Sequence, residues 1–258
     1  MTNVADKVIL ESYLKRLRLH TFIEQYEALA VEASTNQQSY LRFLLVLAEQ
    51  EVRDREARRR QRRLKEAKLP VHKELNSFDF SVLPALNKEK IFQLSRGEYI
   101  DKAEPIILVG NPGLGKTHIA TGLAVAATQQ MRRVRFFNIA ALVNDLILAQ
   151  QDNQATQFIQ RFLKYDLIIL DELGFVPFST VGAHLIFQFC SALYERVSLI
   201  VTTNLKFSEW TQVFGDETLT VALLDRLTHR AHIIEFVGDS YRFRERVECT
   251  QEKAQAPL

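Results

Sequence analysis

Cysteine is nearly missing from this chain: Cys190 and Cys249 are the only two in 258 residues. That number excludes a disulfide framework, and Cys190, inside an apolar helical run, reads as a small core residue. Glycine and proline are missing from residues 1–69, with Pro70 the first proline, so nothing there interrupts a helix. No apolar run approaches the length that spans a bilayer, and the N-terminus lacks a basic-then-apolar targeting segment. A soluble, reducing, cytoplasmic setting is therefore expected. A large excess of one charge is also missing. The formal net charge is +2, so the distribution of charge says more about partners than its sum. There is no internal repeat.

What is present falls into two parts. Within residues 1–69 apolar side chains recur at helical spacing, first Ile9, Leu10, Tyr13, Leu14 and Leu17, then Phe22, Tyr26, Leu29 and Ala30. A third pattern, Leu41, Leu44, Leu45, Ala48 and Val52, follows a cap candidate at Ser39. This predicts a small all-helical N-terminal domain over 1–69, suited to oligomerisation, partner or DNA contact, and a second domain over 70–258. The third helix is expected to run on to about Lys68 through Arg53–Lys68, where nine cations face three anions in sixteen residues. Such a run suits sequence-blind contact with a phosphate backbone. It equally suits a solvated helix laced with ion pairs to Asp54, Glu56 and Glu66, and it has no aromatic residues to stack on bases.

The chain has nine glycines, and three of them, Gly110, Gly113 and Gly115, fall within six positions. They belong to Gly110-Asn111-Pro112-Gly113-Leu114-Gly115-Lys116-Thr117, a G-x-x-x-x-G-K-T phosphate-binding loop. An apolar run at 105–109 precedes it and an Ala-rich, helix-compatible run starting Thr117-His118 follows, which is the strand–loop–helix setting the motif needs. Glycines let successive N–H groups turn toward phosphate oxygens at a helix N-terminus. Lys116 adds a full charge and Thr117 a hydroxyl for Mg²⁺. The ligand implied is a nucleoside triphosphate with its Mg²⁺.

From residue 105 onward strand and helix patterns alternate. Strands are predicted at 105–109, 134–138, 167–171, 198–202 and 232–236, with helices between, which implies a parallel five-stranded α/β sheet covered on both faces. The third strand ends in Asp171-Glu172. At the carboxyl end of a parallel strand these acids face the ligand crevice, Asp171 toward Mg²⁺ and Glu172 as general base for an attacking water. Asn204 ends the next strand and is suited to orienting that water. Arg226, in Leu223-Leu224-Asp225-Arg226, reads either as a finger directed at a neighbour's triphosphate or as a surface ion pair with Asp225.

Taken in order, these motifs resemble AAA+ ATPases. Three blocks narrow the resemblance: Asp171-Glu-Leu-Gly-Phe-Val-Pro, Phe207-Ser-Glu-Trp with Val213-Phe-Gly-Asp, and Gly238-Asp-Ser-Tyr-Arg242. With Leu14-Lys-Arg-Leu-Arg-Leu19 and Ser77-Phe-Asp-Phe80 they are similar to the IstB helpers of insertion sequences, with DnaC-type helicase loaders as relatives. The resemblance implies an ATP-dependent helper that oligomerises on duplex DNA, remodels it, and recruits and stimulates an IstA-like transposase. Hydrolysis would reset the complex. It also implies Walker A roles for Lys116 and Thr117, Walker B roles for Asp171 and Glu172, a first sensor at Asn204 and an arginine finger at Arg226. Arg242 is a weaker second-sensor candidate, because too few residues follow 236 for the usual helical lid. DNA-contact candidates are the Arg53–Lys68 run, the 174–180 loop and Arg132–Arg135. A helicase loader and a small-molecule kinase are the competing readings. No acceptor-substrate site supports the kinase.

Overall fold

The structure is a computed structural model and describes residues 4–238. It divides into two compact units, Met1–Arg62 and Arg63–Leu258, so the division falls inside the third helix, short of the proline expected to mark it. Ala67 is fully buried in the core of the second unit, and Arg63 is nearly so. The last turn of that helix therefore belongs to the second unit, and Pro70 merely follows the helix end.

The first unit contains α1 (Val4–Arg16), α2 (His20–Thr35) and most of α3 (Tyr40–Ala67). Ser39 caps α3 as its position suggested, its Oγ accepting from the Arg42 amide at 3.2 Å. The helices agree with the sequence pattern, but their burial does not. Only Leu14, Ala33 and Leu47 are buried apolar side chains, while Ile9, Tyr13, Leu17, Leu41, Leu44 and Val52 are exposed. Three helices leave much of an apolar stripe with no element of the same unit to cover it. A polar knot sits at their centre. Buried Thr21 donates its amide to Glu51 (2.9 Å) and its hydroxyl to Asp54 (2.9 Å). Arg55 bonds both Glu51 and the Arg18 carbonyl. Burial pushes the Glu51 carboxyl up, but the bonds from Arg55 and Thr21 outweigh it and hold the group below its ordinary value.

The second unit opens with two 3₁₀ turns, Leu75–Ser77 and Phe80–Val82, then α4 (Lys88–Leu94) and α5 (Glu98–Asp101). The alternating part follows: β1 (Ile106–Gly110), α6 (Lys116–Gln129), β2 (Val134–Asn138), α7 (Ile139–Gln151), α8 (Ala155–Gln160) and β3 (Leu167–Leu173). It ends with α9 (Thr180–Leu193), β4 (Ser198–Thr203), α10 (Trp210–Phe214), α11 (Glu217–Thr228) and β5 (His232–Phe236). All five strands are parallel, in the order β2-β3-β4-β1-β5.

Each predicted strand forms within a residue or two of its expected bounds. Strand residues are buried on both faces, with Ile168 and Leu170 in one core and Leu167 and Ile169 in the other. Continuous apolar runs, without polar alternation, are what a two-faced parallel sheet demands. The order puts β4 between β1 and β3, so the phosphate loop and the acidic strand tip flank the end of β4. The expected lid truncation, with Arg242 and Cys249, lies outside the described residues.

Candidate nucleotide site

The site is built on the carboxyl ends of β1, β3 and β4. β1 closes on Gly110, where a Cβ would lie 2.4 Å from the Phe236 carbonyl oxygen, so only glycine lets the chain turn there. Gly115 has φ +86°, and a Cβ on it would meet the Phe78 ring at 2.5 Å. α6 starts immediately afterwards, with its first amides facing the loop. The Lys116 ammonium donates to the carbonyls of Gly110 (2.6 Å) and Asn111 (2.8 Å), which folds it back across the loop.

The Thr117 hydroxyl donates to Asp171 Oδ1 at 2.9 Å, with Oδ2 at 3.2 Å. Thr202, on β4, donates its hydroxyl to the same Asp171 Oδ1 at 2.6 Å and accepts from the Glu172 amide at 2.9 Å. One chain of hydrogen bonds thus joins the start of α6 to the tips of β3 and β4. Burial pushes the Asp171 carboxyl above its ordinary value, and the neighbouring Glu172 charge acts in the same direction. Bonds from Thr202 and Thr117 and the Lys116 charge only partly offset this.

Glu172 itself is exposed and sits at φ +65°, where the β3–β4 register slips between Leu170 and Leu173. A left-handed non-glycine residue costs on the order of 1–3 kcal/mol, a strain that concentrates where a side chain has a task. The turn aims its carboxylate at Asn138, whose Nδ2 donates to Glu172 Oε2 at 2.8 Å. The Asn138 Oδ1 caps α7, accepting from the amides of Ala140 (3.1 Å) and Ala141 (3.4 Å). Asn138 and Thr202 were missed in the sequence. The available signal was a polar residue ending an apolar strand, and Asn138 pairs in register with Asp171.

Lys116, Thr117, Glu172 and Thr202, with Asp171 behind them bonded to Thr117 and Thr202, line a crevice of about 620 Å³, which Asn204 also faces. Its other wall comes from the stretch before β1, including Pro70, Val71 and Phe78, and this wall too was not anticipated as part of the site. His118 joins that wall to α6. Its Nε2 lies 3.1 Å from the Glu74 carbonyl and 3.2 Å from Ser77 Oγ, and its ring meets Phe78 edge-on. Burial lowers its pKa, so the imidazole is neutral at neutral pH.

A sequence profile described as IstB-like ATP binding protein matches residues 12–249. The chain belongs to this family. It is 36% identical over 237 residues to the protein of insertion sequence IS5376 of Geobacillus stearothermophilus, covering 92% of this chain and 94% of the relative. It is 35% identical over 237 residues to the IS21 protein of Pseudomonas aeruginosa, covering 92% and 89%. Both relatives carry names that describe ATP binding. Among solved structures, the DnaC helicase loader aligns with TM-score 0.53 at 20% identity, over 64% of this chain and 96% of that one. AMPPCP-bound DnaA from Aquifex aeolicus aligns with TM-score 0.55 at 18% identity, over 74% and 58%. These likenesses show the P-loop AAA+ fold.

In this IstB-like chain Arg226 lies away from the crevice. It shares a small cleft with Glu104, Pro105 and Val197, at the amino ends of β1 and β4. β4 has six residues, so at about 3.3 Å each the two sheet ends are some 17 Å apart. The ion pair with Asp225 is not formed, and among the described residues no carboxylate lies within pairing distance of Arg226. The three arginines of 132–135 all have partners within their own unit. Arg132 pairs with Asp101, Arg133 donates its backbone amide to Asp166 and its guanidinium to the Lys164 carbonyl, and Arg135 bonds the Glu66 carbonyl and lies over the Phe137 ring. In the 174–180 loop Phe178 packs inward on Phe214, while Phe175 and Val176 are exposed. Along α3, Arg60 pairs with Glu56 and Arg63 with Glu66, but Asp54 is taken by Thr21.

Proposed function

We propose that this chain hydrolyses ATP with Mg²⁺, and that its nucleotide state controls assembly of many copies on duplex DNA in the service of an IstA-like transposase. The observation that carries the reading is the hydrogen-bonded row Thr117–Asp171–Thr202–Glu172 at the mouth of the phosphate loop. A hydroxyl and a carboxylate side by side are hard oxygen donors of the kind Mg²⁺ takes, one or two from protein and the rest from phosphate and water. Burial disfavours the Asp171 charge, a cost that a divalent cation at this oxygen pair offsets. Thr117 and Asp171 would hold the ion, which supplies charge neutralisation at the phosphates.

The chain's own groups divide the remaining work. Loop amides and the Lys116 ammonium, released from the Gly110 and Asn111 carbonyls, hold phosphate oxygens. Glu172 accepts the proton of the attacking water, Asn204 orients that water, and Asn138 positions Glu172. Arg226 acts on the triphosphate of a neighbouring copy, because its own lies at the other end of the sheet. Homo-oligomerisation is thus part of the chemistry. The insertion-sequence relatives at 35–36% identity support transposition as the setting, with duplex DNA as substrate in the cytoplasm. Glu172→Gln keeps the row's geometry and removes the proton acceptor. ATP binding should survive while phosphate release falls by about 100-fold or more, the usual worth of a general base. Unchanged phosphate release would remove Glu172 from that role.

A further inference from the structure

Arg226 is held at two points. Its Nη1 donates to the Ala222 carbonyl one turn earlier in α11, at 2.7 Å, and its guanidinium carbon lies 5.1 Å from the centre of the Phe187 ring. Phe187 comes from α9, which packs on α11. Its neighbours Ile186 and Phe189 are fully buried in the sheet core, whereas Phe187 is only half-buried and packs at the margin of that core, where its ring also reaches Arg226. A guanidinium has five N–H donors in one plane. The Ala222 carbonyl takes one, and the aromatic ring, which has no lone-pair acceptor, attracts the cation as a whole. The remaining edge of the fork is left for a planar set of oxygens, which is how arginine recognises phosphate.

We propose that Phe187 is a positioning residue for the arginine finger: its ring and the Ala222 carbonyl restrain the Arg226 guanidinium at the amino-terminal rim, with its remaining donors available to the triphosphate of a neighbouring copy. The proposal rests on Arg226 acting in trans. Pre-ordering matters because an unanchored arginine samples many rotamers, and each must be given up before the phosphate is engaged.

The test uses full-length protein in mixtures. Glu172→Gln subunits cannot hydrolyse but carry an intact finger, whereas Arg226→Ala subunits carry an intact site and no finger. Mixing the two on duplex DNA should restore hydrolysis. Adding Phe187→Leu to the Glu172→Gln donors should cut the restored kcat by roughly 3- to 10-fold, the scale of a half-desolvated cation–π contact. Phe187→Trp donors should restore it, and Phe187→Leu placed instead in the Arg226→Ala acceptors should have no effect. If the parental mixture recovers nothing, the trans finger falls and the proposal with it. If Phe187→Leu donors restore as well as their parents, or if the substitution harms acceptors as much as donors, the finger stands and the positioning role of Phe187 is overturned.

Discussion

Asp171 shows at the scale of one residue how the site spends stability on ligand binding. Burial raises its carboxyl pKa, so the folded chain holds the proton more tightly than the unfolded one. The stability from this group is complete below its unfolded value of 3.8 and is lost as pH rises through the folded value. At neutral pH the charged, buried carboxylate is a cost in the nucleotide-free protein. Asp171→Asn should therefore raise the thermal midpoint at pH 7, by about 2–4 °C for each kcal/mol relieved, with a smaller gain in acid. The same variant should lose the added stabilisation that Mg²⁺ and ATP confer on the parent. Thermal unfolding with and without nucleotide reads both effects, and a lower midpoint in the nucleotide-free variant would contradict them. Lys116, Thr117, Asp171 and Glu172 were legible in the sequence, because glycine spacing and an apolar run ending in acids are local patterns. Asn138 and Thr202 were not. Their contacts with Glu172 and Asp171 exist only because β2 and β4 flank β3, and strand order is a long-range outcome that no short pattern records.

Among the elements, the strand–loop–helix from β1 to α6 is the most constrained. Gly115 joins a left-handed backbone to a space already filled by Phe78. Gly115→Ala should abolish measurable ATP binding and destabilise the fold by more than the approximately 1 kcal/mol of an ordinary glycine replacement. Nucleotide titration and thermal unfolding check it, and a variant that binds ATP normally would show that the 70–83 wall gives way. The sequence announced β1, β3 and β4 because each is an apolar run suited to burial on two faces, and β2 and β5 by shorter apolar pairs at the same βα spacing. It announced the N-terminal helices by period as well, yet misjudged what they bury: Leu41, Leu44 and Val52 recur as a core stripe would and remain exposed. Periodicity reports which face is apolar, and it leaves open what covers that face. Cys190 was read as a core residue and is one: it is buried, and burial pushes its thiol up to about 12.

For the whole molecule the decisive geometry is that the crevice and Arg226 occupy opposite ends of one sheet, so the proposed finger role of Arg226 requires a second copy. Arg226→Ala should bind ATP with unchanged affinity and lose hydrolysis by about 10³-fold, the lower range for removal of an arginine finger, as read by phosphate release at saturating ATP. Hydrolysis should also rise more steeply than linearly with protein concentration, because each active site needs two chains. With a net charge of only +2, one copy offers duplex DNA a modest field, concentrated in the arginine-dense 53–68 run. On the proposed function, repetition of a modest surface would supply the affinity, and ATP would supply the repetition. Imaging and sedimentation of the purified protein on duplex DNA, with a non-hydrolysable ATP analogue and without it, test this most directly. The account predicts ordered multi-subunit assemblies on DNA only with the analogue and Mg²⁺. Identical assemblies without nucleotide, or none in either condition, would contradict it.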